Sequence, residues 1–89
     1  MITKQLTIIN KLGLHARAAA KFVSCASSFS STVLVSSGAE PVDGKSIMSV
    51  MMLAAAKGTE LSVQTDGSDE AEAMAAIESL IANRFDEGE

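Results

Sequence analysis

The amino-acid sequence predicts an α+β domain in which three helices cover one face of a four-stranded, mostly antiparallel sheet. Segments in which apolar and polar residues alternate, typical of half-buried strands, occur between segments in which apolar residues recur at helical spacing. Their order is β-α-β-β-α-β-α, which favours helices packed on one face of a sheet. The chain has 89 residues and 47% of them are hydrophobic, so a single domain over residues 1–89 with one modest core is expected.

The first strand and the first helix are predicted from two different apolar spacings. From Ile2 to Ile9, apolar residues at positions 2, 6 and 8 alternate with polar residues at positions 3, 5 and 7. A helix of about three turns is expected to begin at Ala16 and to end in the serines of residues 27–31. Its predicted buried residues are Ala19, Phe22, Val23 and Ala26.

A hairpin is predicted after the first helix. Residues 32–36 are rich in β-branched side chains, and the Ser-Gly pair that follows is typical of a turn. Residues 40–43 can then return as an edge strand, since an edge position tolerates Pro41.

The second helix is predicted to be capped by Ser46 and to run to about Ala56, with Lys57 in its last turn and Gly58 just past its end. It is apolar nearly all round, and so small a domain cannot bury every face of such a helix. We therefore expect part of it to stay exposed as an adaptable docking surface, although its methionines could instead all lie in the core. The residues expected to be exposed are Ile47, Met48 and Met51.

The remaining chain predicts a strand and a third helix. Residues 60–65 alternate, residues 66–68 form a turn signal, and acidic residues then favour the start of a helix through its dipole. These acidic residues are Asp69, Glu70 and Glu72, and the buried stripe of the helix is predicted to be Ala73, Ile77, Leu80 and Ile81. Residues 86–89 are expected to form a frayed acidic tail.

Charge is distributed unevenly along the chain. Residues 1–57 carry six Lys and Arg against two acidic residues, a balance of +4, whereas residues 58–89 carry one Arg against nine acidic residues, a balance of −8. We expect the basic part to face acidic partners or anionic ligands. Nucleic acid is not expected to be that anion, because the net charge is −4 and the chain has no Trp or Tyr.

The composition also predicts a cytoplasmic location. No apolar stretch approaches the roughly 18 residues of a membrane-spanning helix, and the N-terminus lacks the basic-then-apolar order of a secretory signal. The single Cys25 cannot form an internal disulfide and is expected to be a small buried apolar side chain.

The only histidine, His15, lies where a glycine-containing loop meets the predicted start of the first helix. A helix N-terminus favours a phosphate beside it and also favours the neutral, nucleophilic form of the ring. Arg17 can present a planar fork to phosphate oxygens, and Lys11 and Lys21 can extend the basic surface. Taken alone, a His-X-Arg triplet is more often an N-cap or loop histidine beside a solvated arginine. A metal site or a catalytic triad is not expected, since a second histidine, a cysteine pair and a partner base are lacking, and no cofactor is implied.

Three motifs give this histidine a more specific meaning. They are GLHAR at residues 13–17, GKSIMSVM at residues 44–51 and AKGTE at residues 56–60. Together with the element order, they resemble the HPr family of histidine phosphocarriers of the bacterial phosphotransferase system over essentially the whole chain. The resemblance implies an open-faced β-sandwich and a carrier, not an enzyme. Phosphoenolpyruvate would phosphorylate enzyme I, Nδ1 of His15 would accept the phosphoryl group with Arg17 binding it, and an enzyme IIA protein would receive it.

The resemblance also implies a regulatory site and partner contacts. In many bacteria the serine matching Ser46 is phosphorylated by HPr kinase/phosphorylase, whereas without the resemblance Ser46 needs no role beyond capping. A phosphate there would add about −1.5 to −2 charge beside the docking surface, so slower transfer to His15 is expected. The family contacts enzyme I and enzyme IIA through its first two helices, which implies that Ala16 and Ala20 join the exposed residues of the second helix.

One departure and three alternatives accompany the resemblance. Many family members have proline where this chain has Ala18, so transfer is expected to survive with a changed phosphohistidine lifetime or partner preference.

The chain could instead regulate by docking alone, or serve a nitrogen-related branch in place of sugar uptake. An acylphosphatase-like hydrolase would leave His15 and the Ser46 segment without a role. A monomer is expected.

Overall fold

The computed structural model describes residues 1–87 and contains a four-stranded antiparallel sheet with three helices. The strands are β1 (Ile2–Thr7), β2 (Thr32–Ser36), β3 (Val42–Asp43) and β4 (Glu60–Asp66), and the helices are α1 (Ala16–Ser27), α2 (Ile47–Met52) and α3 (Glu70–Ala82). A short 3-10 turn at Arg84–Asp86 follows. The sheet order is β1-β4-β2-β3, and all three pairings are antiparallel. The predicted fold class and element order are confirmed.

The core lies between the sheet and the helices, because alternate strand residues point to one side. In β4, Leu61, Val63 and Thr65 are fully buried while the residues between them are partly exposed. The predicted core residues Ala19, Phe22, Ala26, Ala73, Ile77 and Ile81 are buried, whereas Val23 and Leu80 only pack against the core. Ala18 and Met74 are buried without having been predicted to be. Cys25, predicted to be buried, is half-buried, and this burial raises the pKa of its thiol.

The second helix is shorter than predicted. Ser46 caps it as expected, because its Oγ accepts a hydrogen bond from the Ser49 N–H at 3.4 Å. The helix nevertheless ends at Met52 and not near Ala56, because Ala54 adopts the left-handed conformation at φ 49°. The backbone beyond it is used elsewhere, since the carbonyl of Ala55 accepts a hydrogen bond from the Leu14 N–H at 2.8 Å. Residues 53–56 therefore contact the loop that carries His15 and do not form the predicted last turn of the helix.

The edge strand is also shorter than predicted. It pairs with β2 through Leu34 opposite Asp43 and Val35 opposite Val42, and it does not include residues 40 and 41. Pro41 has no N–H to donate, so it cannot extend the ladder. The strand occupies an edge of the sheet, as expected.

The start of α3 is tied to the loop that precedes β2. Asp69 flanks the helix, but its carboxylate does not bond to the helix N-terminus. It accepts hydrogen bonds from the Ser31 hydroxyl and from the backbone N–H groups of Ser30 and Ser31, the latter two at 2.9 Å. These bonds, led by the Ser31 hydroxyl, hold the pKa of the Asp69 carboxyl below its usual value. The stabilisation is therefore present above the usual carboxyl pKa and is lost as the pH falls through the lowered one.

The expected frayed tail is wrong for the residues that the structure describes. Phe85 is fully buried and belongs to the core, and its carbonyl accepts a hydrogen bond from Nζ of Lys21 at 2.7 Å. Residues 84–87, called here the 84–87 segment, consequently fold back toward the start of α1, and Gly88 and Glu89 lie outside the described residues. Across residues 1–87, no helix is long and apolar enough to cross a membrane.

Candidate functional site

His15 and Arg17 lie at the N-terminal end of α1, where they line an open cleft. His15 is the N-cap residue, with φ −74° and ψ 178°, but its ring makes no capping hydrogen bond and is 29% exposed. The first helical bond runs from the Ala19 N–H to the His15 carbonyl at 2.8 Å. The N–H groups of residues 16–18 therefore have no acceptor within the helix, which gives this end about half a unit of positive charge. The cleft is lined by Lys11, Leu12, His15, Ala16, Arg17, Asp86 and Glu87.

The loop before His15 is held tightly against the chain that follows α2. Gly13 has φ +69°, and a Cβ built on it would lie 2.4 Å from the Ala55 carbonyl oxygen and 2.9 Å from the Ala56 Cα. The next residue, Leu14, is buried and donates its N–H to the same carbonyl of Ala55 at 2.8 Å. Only glycine fits this close approach, so the backbone of His15 is positioned by two successive contacts.

The basic residues of the prediction do not all reach the cleft. Arg17 is exposed in the first turn of α1 and lines the cleft together with Lys11. Lys21 is directed elsewhere, because its Nζ donates to the Phe85 carbonyl and lies 3.9 Å from Oδ2 of Asp86. Lys21 therefore holds the 84–87 segment in place. Ala18 is fully buried at the third position of the helix, so its side chain does not face the site.

Glu87 completes the site, and the sequence did not indicate it. One carboxylate oxygen, Oε2, is hydrogen-bonded to Nε2 of His15, and the other, Oε1, accepts from Nδ2 of Asn10 at 2.9 Å. Asn10 is fully buried, and its Nδ2 also donates to the Gly13 carbonyl at 2.8 Å. Glu87 lies 72 residues from His15 in the sequence, so neither spacing nor motif could have predicted the contact.

The Glu87 carboxylate is ionised in this environment. Burial alone would raise its pKa, but the hydrogen bonds from Asn10 and His15, together with the electrostatic attraction of His15 and Arg17, outweigh that effect and lower the pKa below its usual value. The contact is therefore retained near neutral pH and is lost as the pH falls through the lowered pKa. The cleft contains a built-in negative charge that the expected basic surface did not include.

An apolar surface lies exposed on the second helix. Met48 is 70% exposed, and Ile47 and Met51 are each 41% exposed, as expected from the all-apolar helix. Met52 at 80% and Leu12 at 66% are further exposed apolar side chains that were not predicted. Ala16 and Ala20 of α1 are exposed as well, and α1 packs against α2.

Among residues 1–87, no cluster of three or more His, Cys, Asp or Glu side chains is placed to hold a metal ion.

Comparison with known proteins relates this site to one family. The family model described as "PTS HPr component phosphorylation site" matches residues 2–83. The phosphocarrier protein HPr of Pseudomonas aeruginosa is 62% identical over 86 residues, covering 96% of each chain, and that of Neisseria meningitidis serogroup B is 57% identical over the full length of both chains. The crystal structure of HPr-C-His from Thermoanaerobacter tengcongensis superposes with a TM-score of 0.94 at 42% identity, covering 98% of each chain. The acylphosphatase-like alternative has no support among these relatives.

Proposed function

Because the chain belongs to the HPr family of phosphocarrier proteins, we propose that His15 accepts a phosphoryl group from phospho-enzyme I and passes it to an enzyme IIA protein. The observation that carries the proposal is the place of His15 and Arg17 at the N-terminus of α1, within the segment that the family model matches. Such a protein is a carrier, since it is returned unchanged after two transfers. Enzyme I and enzyme IIA are its proposed partners.

The geometry supports a simple transfer step. The Nδ1 lone pair of His15 forms a bond to phosphorus while the bond between phosphorus and its donor atom breaks, and the electron pair of that bond stays on the donor. The N–H groups of residues 16–18 and the guanidinium of Arg17 can hold the phosphoryl oxygens, because both present positive charge and donors at the cleft. Transfer to the acceptor reverses the same steps.

Partner docking is proposed for the exposed apolar surface. Ile47, Met48 and Met51 lie on the helix that begins at Ser46, and flexible methionine side chains can adapt to more than one partner. Ala16 and Ala20 are proposed to join them from α1. The monomeric state and the cytoplasmic location expected from the sequence stay predictions.

Transfer can be tested directly with enzyme I and labelled phosphoenolpyruvate. We expect one phosphate per chain, lost in acid and stable in base, because a phosphohistidine has that lability. Adding an enzyme IIA protein should remove the label, and comparing IIA proteins of sugar and nitrogen-related systems identifies the branch. The Pseudomonas aeruginosa relative serves as a positive control. If that relative is labelled and this chain is not, the carrier function is wrong and docking alone becomes the better interpretation.

Phosphorylation of Ser46 is a second proposal, supported by its place as the cap of α2 beside the exposed apolar surface. HPr kinase/phosphorylase with ATP is expected to add one phosphate, and the new charge should slow transfer from enzyme I by about tenfold or more, because like charges at an interface cost several kcal/mol. Mass spectrometry and the labelling rate measure these effects. Ser49→Ala is the matched control within the same helix and should still be modified. Phosphate uptake by Ser46→Ala would refute the assignment.

A further inference from the structure

The contact between Glu87 and His15 is held from several sides. The Glu87 side chain is 10% exposed, and the fully buried Asn10 donates to its Oε1 at 2.9 Å. Two residues earlier, the buried ring of Phe85 anchors the segment, and Lys21 donates to the Phe85 carbonyl at 2.7 Å. A chance surface contact would have none of these supports.

The backbone of the 84–87 segment also indicates that the contact is specified. Arg84, Phe85 and Asp86 have φ values of 54°, 53° and 63°, a left-handed conformation that costs non-glycine residues roughly 1–2 kcal/mol each. Such a conformation persists only where surrounding contacts outweigh its cost. This turn is what brings the Glu87 carboxylate back to the start of α1, from beyond the residues 2–83 that the family model matches.

The chemistry of the contact selects one tautomer of the ring. A carboxylate can only accept, so the nitrogen that faces it, Nε2, must carry the proton. In the neutral ring, Nδ1 is then left with its lone pair free. We propose that Glu87 is a positioning residue that fixes this tautomer and stabilises the positive charge the ring gains when it accepts a phosphoryl group. The proposal rests on the phosphocarrier function proposed above for His15.

The charge balance of the transfer step shows where the carboxylate acts. When the Nδ1 lone pair bonds to phosphorus, the donor keeps the electron pair of the broken bond, and the ring still carries its proton on Nε2. The ring has therefore become cationic, and the Glu87 carboxylate lies against the nitrogen that holds this proton. In the onward transfer the protonated ring leaves phosphorus and regains its Nδ1 lone pair, so the proton can stay on Nε2 throughout.

Three variants separate the parts of this proposal. Glu87→Ala removes both the acceptor and its charge, whereas Glu87→Gln keeps an acceptor oxygen and removes only the charge. Glu72→Gln is the matched control, because it makes the same change of charge at an exposed residue of α3 that does not line the cleft. The buried Phe85 is retained in all three, so the 84–87 segment stays anchored.

The first measurement is the long-range proton–nitrogen NMR spectrum of the His15 ring in nitrogen-15-labelled protein. In the parent and in Glu72→Gln we expect a protonated Nε2 with an observable N–H signal and an unprotonated Nδ1. That N–H signal should weaken in Glu87→Gln and disappear in Glu87→Ala, because exchange with water is no longer slowed. A Glu87→Ala spectrum identical to that of the parent would overturn the proposal, whatever the transfer rates show.

The second measurement is the rate of labelling by enzyme I. We expect Glu87→Ala to be about tenfold slower than the parent and Glu87→Gln to be intermediate, because only the first loses the hydrogen bond altogether. Glu72→Gln should be within about twofold of the parent, because it leaves the cleft unchanged. Unchanged or faster labelling of Glu87→Ala would overturn the proposal. If even the parent is not labelled, the carrier function fails, and the ring spectra still decide whether Glu87 fixes the tautomer.

Discussion

His15→Ala is expected to take up no acid-labile phosphate from enzyme I and phosphoenolpyruvate, a loss of at least about a thousandfold in labelling rate. An acid-labile label requires a phosphorus–nitrogen bond, and His15 is the only histidine in the chain. The fold should survive, because the ring is 29% exposed and makes no capping bond. The hydrogen bond between the ring and Glu87 is lost, so the free energy of unfolding in urea is expected to fall by about 1–3 kcal/mol.

The same variant distinguishes a carrier from a docking protein. His15→Ala keeps the exposed Ile47, Met48 and Met51, so it should still bind enzyme I and compete with the parent for labelling. Competition without labelling is the expected combination. If His15→Ala is labelled in an acid-labile form at a rate near that of the parent, His15 is not the carrier residue.

Gly13→Ala is expected to lower the free energy of unfolding by about 3 kcal/mol, which is on the order of 15 °C in Tm for a chain of this size. The added Cβ would lie 2.4 Å from the Ala55 carbonyl oxygen at a position with φ +69°, so the backbone itself must move. That movement breaks the contact that positions Leu14 and His15. Labelling by enzyme I should therefore slow by about tenfold or more, because small misplacements of a reacting group are costly.

Gly38→Ala is the matched control for this variant. Gly38 also has a positive φ, +97°, but an added Cβ would meet no atom within 4 Å. It should cost only the conformational strain, about 1 kcal/mol, and leave the labelling rate unchanged. Equal destabilisation of the two variants would show that the close approach of Gly13 to Ala55 has no energetic consequence.

The features that the sequence determined are those that depend on neighbours a few residues apart. Alternating and helical apolar spacings were sufficient for the fold class and for most of the buried residues of α1 and α3, since burial follows these periods directly. The place of His15 and Arg17 in one helical turn and the capping bond of Ser46 are equally local. They could be predicted because each depends on backbone geometry within about one turn.

The features that only the tertiary structure decided all depend on partners far apart in the sequence. The second helix ends at Met52, and the Ala55 carbonyl beyond it bonds to the Leu14 N–H. The Asp69 carboxylate accepts hydrogen bonds from Ser30 and Ser31 and does not cap α3.

The site itself follows the same rule. Glu87, expected in a frayed tail, lies against His15 because Phe85 is buried. A polar group forms a hydrogen bond with the partner that lies beside it in the folded chain, and the residues next to it in the sequence do not indicate which partner that is. The amino-acid sequence therefore determined which residue can carry the phosphoryl group, whereas the tertiary structure decided which carboxylate faces its ring.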